Sequence, residues 1–143
     1  MKINRSASAA WAGGLKDGKG SITTESGALS AYPYGFASRF EGKKGTNPEE
    51  LLGAAHAGCF TMALSLILGE AKFTAEHMDT SAKVTLEQVD GGFAITAVHL
   101  TLKAKIPGID QATFEELTAK AKAGCPVSKV LKANITLDAS LET

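Results

Sequence analysis

The sequence predicts an α+β fold in which a mainly antiparallel sheet wraps around one long central helix, and three observations carry that prediction. Residues 47–69 are apolar or small nearly all round, as in a helix enclosed by protein on every side. Two long strand-like segments, 79–89 and 93–106, flank Asp90-Gly91-Gly92, a strong hairpin signal. Strand and helix runs follow one another without regular alternation, which argues against a parallel doubly wound sheet. With 143 residues the chain holds one domain's worth of core, so a single domain over residues 1–143 is expected.

Taken in order, residues 8–14 and 21–26 read as strands that pair as a hairpin across Leu15-Lys16-Asp17-Gly18-Lys19-Gly20. Residues 34–40 read as a third strand after the Tyr32-Pro33 break. At Asn47 the period changes: its side chain can cap a helix, Pro48 suits the first helical position, and Glu49 and Glu50 complement the dipole. Thr46 with Glu49 also fits a capping box one register earlier. In the second long strand Phe93 and Ile95 occupy one parity, whereas Val98, Leu100, Leu102, Ala104 and Ile106 occupy the other. That slip predicts a bulge or a change of covered face. An amphipathic helix follows over 109–124, stopped by Gly124, then a short helix over 126–133. Residues 135–142 alternate strictly and close the chain as a strand.

Fifteen basic residues balance fifteen acidic ones, so no overall field draws the chain to nucleic acid or to an anionic membrane surface. The N-terminal stretch lacks the apolar run of a secretory signal, and a cytoplasmic protein is expected. Residues 51–68 could be argued into a bilayer, but His56, Thr61 and Ser65 interrupt them, and no membrane association is expected. Two cysteines, Cys59 and Cys125, lie far apart in sequence, leaving inert core thiols, a metal site or redox chemistry open.

Cys125 is the sharper of the two. It follows a helix-stopping glycine and precedes a proline, so it stands at the N-cap of the short helix, where dipole and free N–H groups favour thiolate. On helix electrostatics alone it is the reactive thiol. His56 and Cys59 share a helical face, and with Cys125 they could offer three zinc ligands. His77 and His99 fall in or near the strands, and no fourth ligand has suggestive spacing.

The segment GTNPEELLGAAHAGCF, the later AGCPVSKVLKA, and the intervening VDGGFAIT and PGID together resemble the osmotically inducible protein C (OsmC) family, in its OsmC branch. The resemblance covers nearly the whole chain. It implies an intertwined homodimer and a cysteine-based peroxidase acting on organic hydroperoxides, regenerated by an external thiol or dithiol, with no cofactor and no metal. By that resemblance Cys59 is the peroxidatic cysteine and Cys125 the resolving one, which reverses the order from helix electrostatics. Arg39 matches the arginine that stabilises thiolate and substrate, and Glu49 the glutamate that orients it. In the hydroperoxide resistance branch the arginine comes from the N-terminal hairpin, where this chain has Lys16 and Lys19 instead.

Helix geometry adds a constraint. Glu49 and Cys59 are ten residues apart, about 15 Å along one straight helix. If both serve one sulfur, Glu49 must come from a second chain. Phe36, Phe40, Phe60, Met62 and Ile67 could form an apolar wall that favours bulky peroxides. The rival readings are a non-enzymatic stress protein that carries a small apolar ligand at the dimer interface, and a zinc-binding structural protein.

Overall fold

The computed structural model describes residues 1–142. The chain divides into two compact units on either side of the Leu51–Leu52 bond, taken here in turn.

In the first unit, β1 (Ala7–Ala12) and β2 (Lys19–Thr24) form the expected hairpin, with Ala9 opposite Ile22 and Trp11 opposite Gly20. The third strand, β3 (Tyr32–Tyr34), joins β2 antiparallel and includes Tyr32-Pro33, where a break was expected, sharing only Tyr34 with the expected strand. Phe36–Phe40 is a short helix, α1, rather than a continuing strand. The reason is local: the Ser38 hydroxyl accepts from the Gly35 N–H at 2.9 Å and donates to the Thr46 carbonyl at 2.8 Å, which folds the chain back. Gly20 has to be glycine, because Trp11 and Tyr34 meet edge to face beside it and leave no room for a Cβ.

Helix α2 (Pro48–Glu70) starts where Asn47 predicts: its Oδ1 accepts from the Glu50 N–H at 2.8 Å. The alternative capping box does not form, because the Thr46 hydroxyl donates to Glu50 at 2.8 Å instead of engaging Glu49. By length and composition α2 could cross a membrane. Phe60, Leu64 and Leu68 of this helix instead enter a protein core, while Met62 and Leu66 stay exposed.

The second unit holds the three-stranded sheet β4 (His77–Val89), β5 (Gly92–Lys105) and β6 (Asn134–Glu142). β4 and β5 pair antiparallel around Gly91 and Gly92, both at positive φ that other residues rarely adopt. The predicted slip is a bulge: Thr85 faces Ala97 and Leu86 faces Ile95, leaving Thr96 as the extra residue. Beyond it Val98, Leu100, Leu102 and Ala104 all point inward and are fully buried.

β6 departs from the expected antiparallel pattern. It runs parallel to β5, so the sheet is mixed. A parallel partner needs a crossover, and α3 (Gln111–Gly124) with α4 (Pro126–Val130) supplies it. Asp110 caps α3 by accepting from the Thr113 N–H at 2.7 Å, and that bond holds its carboxyl below the usual range. Phe114, Leu117 and Ala121 of α3 join the α2 residues over the sheet's inner face.

Two substitutions test this packing through the midpoint of chemical denaturation at unchanged slope. Asn47→Ala is expected to cost about 1 kcal/mol, from the lost cap. Leu100→Ala is expected to cost about 2–5 kcal/mol, from the transfer and cavity contributions together.

Candidate active site

In the first unit, Arg39 near the end of α1 and Glu49 in the first turn of α2 form a bidentate pair. Nε meets Oε1 at 3.0 Å and Nη2 meets Oε2 at 2.9 Å. Glu49 is largely buried, with 11% of its side chain exposed against 36% for Arg39, so the carboxylate is the fixed member and the guanidinium reaches outward. The hydrogen bonds that Arg39 donates to Glu49 raise the arginine pKa above its ordinary value, with burial opposing. Arg39 also lies over the Phe40 ring at 5.4 Å, and Phe40 is tilted against Phe36 at 4.9 Å. Glu49 uses only the Nε and Nη2 edge, which leaves Nη1 for another anion. Both partners belong to one chain, so no carboxylate from a second chain is required to orient Arg39.

The loop between these residues is tied down by side chains. Asn47 donates to the Ser38 carbonyl at 3.2 Å, and the buried Thr46 donates its N–H to the Pro33 carbonyl at 3.0 Å. Lys16 sits over the Phe36 ring at 5.9 Å, and with Lys19, Lys43 and Lys44 it borders a cavity of about 390 Å³.

In the second unit, α2 and the head of α4 set Cys59 and Cys125 beside each other, both as free thiols. Cys125 is fully buried; Cys59 keeps part of its surface. Burial pushes the Cys59 thiol up and the contact with Cys125 adds to the rise, while the Val127 backbone N–H, donating to the Cys59 sulfur, pulls it down. None of these influences is cationic. Cys125 does stand at the N-cap of α4, before Pro126, but its sulfur caps nothing. The free N–H at the head of that short helix is aimed at Cys59. The helix-end electrostatics expected at Cys125 thus reach Cys59 as well, through the Val127 N–H.

His56 lies one turn before Cys59 and is fully buried. Its Nε2 meets the Ser128 hydroxyl at 2.7 Å, Nδ1 has no partner, and burial lowers its pKa. Among the described residues no group of three His, Cys, Asp or Glu side chains is placed to hold a metal ion. His77 contacts Asp79 and Glu142, and His99 contacts Thr136 and Asp138, on exposed sheet positions. Of the apolar wall, Phe60 is fully buried in the core and cannot line a cleft, Ile67 packs against that core, and Met62 is exposed. Ser128 and the Val127 N–H were not foreseen. The matching three-residue steps in His56-Ala-Gly-Cys59 and Cys125-Pro-Val-Ser128 were the available signal.

Comparison with known proteins shows the family. The family model described as OsmC-like protein matches residues 41–140. Peroxiredoxin OsmC of Escherichia coli is 59% identical over 143 residues, covering all of both chains. An organic hydroperoxide resistance protein of Xanthomonas axonopodis pv. citri is 33% identical over 101 residues, 70% of this chain and 69% of that one. Among solved structures, OhrB of Bacillus subtilis superposes with a TM-score of 0.67 at 29% identity, over 96% of this chain and 98% of that one. An organic hydroperoxide resistance protein of Elizabethkingia anophelis gives 0.72 at 28% identity, over 99% and 100%. With a family model spanning most of its length and a relative matching it from end to end, the chain belongs to the OsmC family.

Proposed function

We propose that this protein is a thiol-dependent peroxidase that reduces organic hydroperoxides to alcohols, with Cys59 as the peroxidatic and Cys125 as the resolving cysteine. The observation that carries the reading is the contact between a partly accessible thiol and a fully buried one. Peroxide reaches Cys59 first, and Cys125 waits behind it. The relatives named peroxiredoxin and organic hydroperoxide resistance protein support the same chemistry.

The Cys59 thiolate attacks the distal oxygen of ROOH; the O–O bond breaks, the sulfur becomes a sulfenic acid, and the alkoxide leaves as alcohol after taking a proton. Cys125 then displaces water to close the Cys59–Cys125 disulfide, and an external thiol or dithiol reduces it. Because its surroundings raise the Cys59 pKa, the thiolate needs a cation, and the Arg39–Glu49 pair is the ion pair suited to supply one. On a continuous α2 the ten-residue step from Glu49 to Cys59 spans about 15 Å. The pair therefore serves the Cys59 of a second chain, and the working unit is a homodimer whose exposed Met62 and Leu66 are covered by the partner copy. The cytoplasm, which keeps thiols reduced, suits this cycle.

Titration of the reduced protein with cumene hydroperoxide is expected to consume both thiols and give one Cys59–Cys125 disulfide, far faster than hydrogen peroxide does. Cys59→Ser abolishes the reaction; Cys125→Ser permits the first oxidation but leaves Cys59 to proceed to sulfinic acid. If ligand binding were the function, Cys59→Ser would leave uptake of an apolar ligand intact and the wild-type thiols unreactive. Arg39→Met is expected to lower the rate constant for the first oxidation by about 10²-fold or more, measured in single turnover, without loss of fold by circular dichroism.

A further inference from the structure

The pair of cysteines is one of two side-chain links between α2 and the head of α4, beside the Val127 N–H on the Cys59 sulfur. His56 and Cys59 lie three residues apart on α2, and Cys125 and Ser128 three apart at the head of α4. They connect in antiparallel order, His56 with Ser128 at 2.7 Å and Cys59 with Cys125. We infer that the His56–Ser128 hydrogen bond is a strut that positions Cys125 for disulfide closure, making both residues positioning residues for the resolving step.

The character of each partner supports this. His56 is fully buried, and one of its two ring nitrogens has no partner at all. An apolar side chain of similar volume would avoid that unsatisfied atom. What the imidazole adds is therefore the single directional bond at Nε2. Burial holds the ring toward its neutral form, so the bond does not carry a buried charge.

On the other side, α4 is only five residues long and no side chain caps it. A helix that short has little stability of its own, so its placement depends on what it is tied to. Beside the Val127 N–H on Cys59, Ser128 supplies a side-chain tie on that helix three residues from Cys125. A disulfide tolerates only a narrow range of separations and angles, so a small drift of α4 removes Cys125 from reach. The step it serves breaks the Cys59 S–O bond and forms the S–S bond. The Cys125 proton leaves with the displaced hydroxide as water, so no further oxidant is needed.

This inference rests on the peroxidase reading for its biological meaning, and two measurements keep them separable. In single turnover with cumene hydroperoxide, Ser128→Ala is expected to oxidise Cys59 at the wild-type rate but to close the disulfide about tenfold or more slowly. More sulfenic acid is then trapped by dimedone and more sulfinic acid forms. Ser128→Thr, which keeps the hydroxyl, restores closure, and His56→Gln, which keeps a hydrogen-bonding group at the Nε2 position, retains most of it. In glutathione redox buffers, which need no peroxide, the Ser128→Ala disulfide equilibrium moves toward the dithiol. Closure within about twofold of wild type together with an unmoved equilibrium overturns the inference. So does a parallel fall of oxidation rate, closure rate and thermal stability, which would mark a structural role only. A shifted glutathione equilibrium in a protein whose thiols ignore peroxide would uphold the strut and overturn the peroxidase reading instead.

Discussion

A sulfur that the proposed chemistry needs as an anion, set in apolar surroundings, is the constraint on which the rest depends. Cys59 is held where burial and a neighbouring thiol both oppose ionisation, and the Val127 backbone N–H favours it. Charge removed from water in this way persists only with a partner of opposite sign. That partner is, on the proposed reading, Arg39, bonded side-on to a nearly buried carboxylate, with one edge of its guanidinium uncommitted. On the proposed reading the two half-sites are completed by association, so dimerisation and ionisation of the thiol are a single event.

Each half is built to be stiff. Ser38, Thr46 and Asn47 stitch the loop after α1 to the first turn of α2, and the Arg39–Glu49 geometry follows from that stitching rather than from the salt bridge alone. In the second unit the mixed sheet and α3 clamp the buried face of α2. The parallel strand β6 matters here, because the crossover it requires is what delivers α4 and Cys125 to Cys59. Topology and chemistry meet at that connection.

Much of this was legible in the residues, and the exceptions have physical causes. The first hairpin, the Asn47 cap, the course of α2 and the bulge at Thr96 all follow from local chemistry, because turn residues, caps and alternation act over a few positions. Residues 34–40 looked like a strand because aromatic and small residues alternate there. The Ser38 hydroxyl overrode that pattern with a bond to Thr46, eight residues on, which no local rule weighs. The direction of β6 was hidden for a similar reason, since strict alternation fixes a covered face but not a pairing sense. At the site, the N-terminal end of α4 was visible from Gly124, Cys125 and Pro126. That its N–H meets the other cysteine depends on tertiary approach, and only coordinates hold that information. The roles of Arg39 and Glu49 came from resemblance, and the structure adds their bidentate contact.

Complementation between two inactive variants tests the shared site most directly. Chains carrying Cys59→Ser and chains carrying Arg39→Met would be unfolded, mixed and refolded together, then assayed for cumene hydroperoxide reduction. In a mixed dimer one intact Cys59–Cys125 pair faces one intact Arg39–Glu49 pair, and activity well above either variant refolded alone is the predicted result. A mixture no more active than its components, with mixed dimers verified by mass spectrometry, would contradict an active site assembled from two chains.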